Sequence, residues 1–315
     1  MSVKSTVKDI REEVRSAYKS EETEDFLDKK FNNPLGFLWA KMFMRLGVSP
    51  NTVTVLSMII GVSGALLFYT DSFIPNLIGV LLITLTTILD ATDGQVARLT
   101  GRTSELGRIL DGVATGTWTA VAYIVLALRL TGKNIPFTDV KWGVLIWITV
   151  VVSGLFGNNL QCLLADRFRN MHTYFQGVKA CSLDSSEDVA AELAVAKSPA
   201  KKLYLRFYLN YTKNQERLTP SSCRLLRETK EHGVSDDLSF DYLKVSRRLV
   251  PLANIFTINT RLITLFVCVL AGVPYIYFFV EFFVLGALML YTRAKYESLA
   301  RALCQEYFAC DGGAE

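Results

Sequence analysis

Residues 52–70 read TVTVLSMIIGVSGALLFYT, nineteen positions without an Asp, Glu, Lys or Arg. An apolar run of about 18 or more residues free of charge is long enough to cross the hydrocarbon of a bilayer as a helix, which satisfies its own backbone polar groups. Residues 72–89, 112–128, 142–165 and 262–280 are equally free of these residue types. Together the runs predict six spanning helices at about 52–70, 73–90, 109–129, 142–165, 249–272 and 274–293. The expected fold class is therefore an all-α integral membrane protein, and a soluble enzyme is excluded. Overall composition does not decide this, because 50% hydrophobic and 20% charged residues are ordinary for a globular chain of 315 residues. It does exclude collagen-like, disulfide-stapled and disordered chains, since the glycine and cysteine contents are ordinary and the apolar content is high.

Lysine and arginine accumulate on the cytoplasmic side of a membrane. With both termini inside, 30 of the 34 fall in cytoplasmic segments or, in the case of Arg293, at the cytoplasmic end of the sixth span; Arg129, Lys133 and Lys141 fall toward the outside and Arg261 within a span. The first 50 residues are charge-rich, so the first apolar run is expected to act as an uncleaved anchor, not a signal peptide. Cys162 and Cys268 fall in spans and the other four cysteines in cytosolic segments, where disulfides are not expected. The net charge of +4 suits contact with anionic headgroups and is no nucleic-acid signature.

The predicted organisation has five parts: a cytosolic segment 1–51, spans one to four over 52–165, a cytosolic helical insertion at 166–248, spans five and six over 249–293, and a cytosolic tail at 294–315. Within the first part, residues 1–30 read as a charged helix and residues 31–49 as an amphipathic helix lying on the cytoplasmic face. In the insertion, Ser185 and Asp188 form a capping-box pattern ahead of a helix. Residues 201–217 alternate basic with aromatic positions, and His172 and His232 read as structural, with no second metal ligand evident nearby.

Acidic residues at the ends of membrane helices are costly unless they have partners, which makes their positions informative. Asp90 closes the second span, Asp93 follows on the same helical face, and Asp111 opens the third. Two antiparallel helices joined by a turn would bring these carboxylates together, and converging oxygens suit a hard divalent ion that bridges to phosphates. Gly94 and Gly107 leave room for a nucleotide beside the backbone, and Arg98 offsets phosphate charge.

The stretch Asp90-x2-Asp93-Gly94-x2-Ala97-Arg98-x8-Gly107-x3-Asp111 resembles the CDP-alcohol phosphotransferase (CDP-alcohol phosphatidyltransferase) family, as does the Ser49-Pro50-Asn51-Thr52-Val53-Thr54 opening of the first span. The resemblance is strong over about residues 33–130 and does not cover the 166–248 insertion. It implies a multi-pass membrane enzyme of phospholipid synthesis with its active site facing the cytosol, in a bacterial inner membrane or its equivalent. The reaction it implies joins an acceptor alcohol to the substituted phosphate of a CDP-linked donor, CDP-diacylglycerol being favoured, with release of CMP. It further implies Mg²⁺ or Mn²⁺ held by Asp90, Asp93 and Asp111, a CDP pocket lined by Gly94, Ala97, Arg98 and Gly107, membrane lipid as a partner, and a homodimer. Seven of the eight fixed motif positions are met. The eighth, an Asp that in the family acts as the base, is Thr115, which cannot take a proton. Either Asp111 or another group does so, or the protein is a catalytically impaired relative that binds nucleotide or lipid. Arg261, placed mid-span, has two open readings: it holds a substrate phosphate, or it forms a buried pair with Glu281.

Overall fold

The computed structural model describes residues 22–101, 105–178 and 183–308. The first 21 residues of the charged N-terminal stretch, Cys181 and Cys310 lie outside them. The helices are α1 (Asn33–Arg45), α2 (Pro50–Tyr69), α3 (Phe73–Thr100), α4 (Glu105–Thr131), α5 (Gly143–Phe175), α6 (Ser186–Val195), α7 (Pro199–Leu218), α8 (Pro220–His232), α9 (Asp236–Leu270) and α10 (Pro274–Phe308). Six of these, α2 to α5 with α9 and α10, are long and apolar enough to cross a membrane.

Helices α5, α9 and α10 run 33, 35 and 35 residues. At ~1.5 Å per residue each is about 50 Å long, well beyond the ~30 Å of hydrocarbon. Their apolar portions end near the predicted span boundaries and helix continues beyond them, α9 leaving helical conformation only at residues 256–257, after Pro251. Helices α5 and α10 pass through π-helical turns at Ser153–Asn159 and Val280–Leu285.

The chain divides into two compact units, Met1–Leu155 with Leu262–Val280, and Phe156–Arg261 with Glu281–Glu315. In the first, Ser49 caps α2 by accepting from Thr52 N at 3.2 Å, and Pro50 takes the first helical position, where its missing N–H costs nothing. Helix α2 packs against both α3 and α4, and α1 packs on α3. Small residues allow this closeness: a Cβ on Gly79 would lie 2.7 Å from the Gly64 carbonyl oxygen, and one on Gly61 would lie 2.9 Å from the Trp118 ring. Helix α3 ends at Gly101, whose φ of +65° is the left-handed conformation that glycine adopts without strain. Phe37, Ala40 and Phe43 of α1 are buried, whereas Leu35, Leu38 and Met42 are exposed beside Lys41 and Arg45.

In the second unit, one apolar core joins Leu163, Phe168, Phe256, Met289 and Tyr296, and another joins Met171, Phe175, Leu225, Tyr242 and Leu303. Residues 294–308, read from the sequence as part of a tail, are the last turns of α10 and pack on α8. Glu297 of α10 accepts from Ser221 N at 2.7 Å, and from Ser222 N at 3.0 Å and Ser222 Oγ at 2.6 Å, closing the start of α8. His172 is fully buried with Nδ1 2.8 Å from Ser246 Oγ, a structural arrangement. His232 differs from expectation: Glu228, one turn earlier, stands 3.7 Å away and Glu231 is adjacent, on the exposed end of α8.

The capping box at the start of α6 is present: Asp188 N donates to Ser185 Oγ at 3.1 Å and Ser185 N to Asp188 Oδ2 at 3.0 Å. The Ser185 backbone N–H and then the Ser185 hydroxyl, with Lys230 behind them, hold the Asp188 carboxyl down to about 2. A depressed carboxyl pKa stabilises the fold above its unfolded value near 3.8 and ceases to do so as pH falls toward 2. The protection factors for hydrogen exchange over residues 186–195, taken against the intrinsic rate at each pH, should therefore fall between pH 4 and 2 in the natural protein. Ser185→Ala, removing a cap of about 1 kcal/mol, should show roughly fivefold faster exchange already at neutral pH. Unchanged exchange in this variant would show that the box does not hold the helix.

Candidate active site

Asp90, Asp93, Gly94, Ala97 and Arg98 all lie on the last turns of α3 before Gly101. One helical turn separates Asp90 from Asp93, so the two carboxylates share a face. Asp90 is partly exposed, and Asp93 is 5% exposed. A carboxylate this deeply buried needs charge-assisted hydrogen bonds. One comes from α2, where Thr54 Oγ1 donates to Asp93 Oδ2 at 2.5 Å. Thr54 is itself 2% exposed, and the same α2–α3 seam holds the bond from Thr86 Oγ1 to Ser57 O at 3.2 Å. The first span therefore supplies part of the site. Its role escapes a reading of local spacing because the partners are 39 residues apart. The available signal is a hydroxyl one turn into a span that carries no charged residue.

The amphipathic helix α1 also reaches the site. Gln95, fully buried between the motif residues, donates from Nε2 to Asn33 O at 3.1 Å. A Cβ on Gly36 would meet Ile88 O at 3.3 Å and Ala91 Cβ at 3.4 Å, so α1 lies almost against the α3 backbone opposite Asp90 and Asp93. These contacts fix the motif end of α3 from two sides.

The space beside Gly94 contains the Arg98 guanidinium, whose Nη1 would lie 3.2 Å from an added Cβ. Arg98 thus folds back along its own helix over Gly94, an exposed and adjustable cation at the edge of the acidic pair. Gly107, Asp111 and Thr115 lie on α4. Gly107 and Thr115 are partly buried, while the Asp111 side chain lies outside the described part of the structure. Thr115 is one turn beyond Asp111, and a Cβ on Gly112 or Gly116 would meet nothing within 4 Å. Helix α4 is thus open beside these two positions. The packing of α2 on both α3 and α4 was not readable from the turn that links α3 to α4.

Two aspartates one turn apart, one of them anchored by a hydroxyl, form a hard oxygen donor set that fits Mg²⁺ or Mn²⁺ and not a soft metal. Asp111, on α4, is the third carboxylate of the motif.

Arg261 belongs to the second unit. It is 2% exposed, donates from Nη1 to Asn158 Oδ1 and to Cys162 Sγ, the latter at 3.2 Å, and from Nη2 to Phe256 O. Glu281, fully buried, lies against the same stretch of α5: a Cβ on Gly157 would meet its Cγ at 3.0 Å, and its carbonyl accepts from Gln161 Nε2 at 2.8 Å. The structure thus brings Arg261 and Glu281 to one segment of α5, residues 157–162.

Residues 47–168 match the model of a family described as CDP-alcohol phosphatidyltransferase. The chain is 42% identical over 73 residues to a phosphatidylinositol phosphate synthase of Streptomyces avermitilis, covering 23% of this chain and 29% of that protein. It is 33% identical over 113 residues to an archaetidylinositol phosphate synthase of Aeropyrum pernix, covering 32% and 57% respectively. It is 31% identical over 124 residues to a bifunctional IPC transferase and DIPP synthase of Aquifex aeolicus, covering 39% and 26%. The chain therefore spans between about a quarter and just under three-fifths of the length of these relatives.

Proposed function

From the match of residues 47–168 to the CDP-alcohol phosphatidyltransferase model, we propose that this integral membrane protein joins an acceptor alcohol to the substituted phosphate of a CDP-alcohol. CDP-diacylglycerol is the favoured donor, and the names of two relatives point to a phosphorylated inositol as the class of acceptor. The observation that carries this reading is the buried Asp93 carboxylate, anchored by Thr54 and one turn from Asp90, at the end of a spanning helix. A water-soluble nucleotide and a lipid tail can meet at such a boundary.

The acceptor oxygen forms a bond to the β-phosphorus of the donor, the bond from that phosphorus to the bridging oxygen breaks, and CMP leaves. Members of the family are generally dependent on a divalent metal. Mg²⁺ or Mn²⁺, held by Asp90, Asp93 and Asp111, would supply neutralisation of the pyrophosphate and of charge developing on the leaving group. Arg98, which lies over Gly94, would meet the phosphates, and Ala97, Gly94 and Gly107 would give the nucleotide room. With Thr115 in place of the usual base, Asp111 one turn earlier accepts the proton of the acceptor hydroxyl. The exposed apolar side of α1 lies in the headgroup layer of the cytosolic leaflet, the site faces the cytosol, and two copies pair as a homodimer.

Purified protein offered CDP-diacylglycerol with phosphorylated and free polyols tests this reading through Mg²⁺-dependent CMP release. Release with CDP-diacylglycerol is the expected result, and the acceptor that works defines the product. If Asp111 is the base, Thr115→Asp raises the rate by no more than about tenfold, because general-base catalysis is already present. A natural protein silent with every donor, beside a Thr115→Asp variant that turns over, would replace the enzyme reading with that of a nucleotide- or lipid-binding relative.

A further inference from the structure

In the second unit, α10 and the start of α8 enclose a groove made of two adjoining hollows of about 370 and 270 Å³, which share Pro220 and Arg301. Their combined volume falls in the ~300–1,000 Å³ range of small-ligand sites. Ser221 and Arg224 line the first hollow, Arg293 and Glu297 the second. Three guanidiniums therefore face one groove with a single carboxylate.

That carboxylate is already engaged. Glu297 accepts the N–H groups of Ser221 and Ser222 and the Ser222 hydroxyl, so it occupies the start of α8, and a ligand in the groove must be held by side chains. Arg293 is anchored through Nε on Leu218 O at 2.5 Å, a bond that orients its guanidinium without neutralising it. Arg224 stands 3.7 Å from Glu228 at an exposed edge, a pair of little strength. Arg301 makes no ion pair or hydrogen bond among the described residues. A guanidinium presents its donors as a planar fork that matches the oxygens of a phosphate. One fork would be satisfied by a carboxylate. Three forks converging on one groove match a group with more oxygens and about two negative charges, which a phosphate monoester carries at neutral pH.

We propose that this groove binds a phosphate monoester group, carried either by a soluble phosphorylated compound or by a lipid headgroup. Nothing in the proposed transfer reaction requires it, and its test reads binding without turnover.

The full-length protein in nanodiscs of phosphatidylcholine is treated with phenylglyoxal, which modifies accessible arginines, and the rate at each arginine is read by mass spectrometry. Millimolar inorganic phosphate is expected to slow modification of Arg301 and Arg224 at least about fivefold, as occupancy above four-fifths requires, while the exposed Arg248 reacts unchanged. In a second arm, nanodiscs containing phosphatidic acid replace the free phosphate. Protection only in the first arm assigns a soluble ligand, and protection only in the second assigns a headgroup. Arg301→Gln, at an exposed position with no bond to lose, should abolish protection at Arg224, and Arg224→Gln should do the same at Arg301. Equal protection by chloride at matched ionic strength, protection at Arg224 that survives Arg301→Gln, or no protection in either arm would overturn the proposal.

Discussion

Replacing Asp93 by Asn should lower Mg²⁺-dependent CMP release by about 10³-fold with little change in folding. The side chain keeps its shape and one oxygen to accept from Thr54, so the α2–α3 seam survives. What is lost is the negative charge that a divalent ion and its phosphate ligands require, an effect of several kcal/mol, and each ~1.4 kcal/mol is tenfold in rate. Thr54→Val separates the anchor from the ligand. Valine fills the same volume in a position 2% exposed, but Asp93 loses a charge-assisted bond that orients it. Loss of such a supporting partner typically costs 10–100-fold in metal affinity or activity. The expected signature is a raised Mg²⁺ requirement with the maximal rate partly recovered at high Mg²⁺. A Thr54→Val protein with the natural metal dependence would show that the bond only packs α2 on α3, and an active Asp93→Asn protein would remove Asp93 from the chemistry altogether.

The largest stability effect is expected at Gly79. A valine there sets Cβ 2.7 Å from the Gly64 carbonyl oxygen and 2.8 Å from the Phe68 ring. The first obstacle is backbone on the facing helix, which cannot rotate away, so α2 and α3 must separate. Overpacking a well-filled site costs about 1–3 kcal/mol, and a backbone obstacle puts this one at or above the upper end. Because Thr54 and Asp93 bridge the same two helices, separation at Gly79 should weaken the site as well. The check is thermal unfolding in detergent, with Gly116→Ala as the control: an added Cβ there meets nothing within 4 Å, and alanine favours helix by up to about 1 kcal/mol. Gly79→Val should melt well below the natural protein and Gly116→Ala at or slightly above it. Equal melting of the two variants would mean that the Gly64–Gly79 approach does not limit stability.

Features local along the chain were legible in the sequence. The first four spans follow from charge-free apolar runs, because a charge in hydrocarbon is so costly that its absence over about 18 residues carries meaning by itself, and the last two from apolar stretches that carry Arg261 and Glu281. The pairing of Asp90 with Asp93 follows from helical periodicity, and the Ser185–Asp188 cap from a spacing of three. What required the tertiary structure are contacts between distant positions. Thr54 reaches Asp93 because α2 packs on α3 as well as on α4, an arrangement that glycine contacts across helices permit and no single-helix pattern encodes. Gln95 meets Asn33 for the same reason. The end of α10 looked like a tail because its charged residues hide the buried positions Tyr296, Ala300 and Leu303, which acquire meaning only when α8 and α9 supply the facing side chains. Hydration cost and helix geometry act on neighbours in sequence, so sequence alone determined the membrane class and the acidic motif. The partners of each buried polar group depend on which helices touch, and that only the folded chain decided.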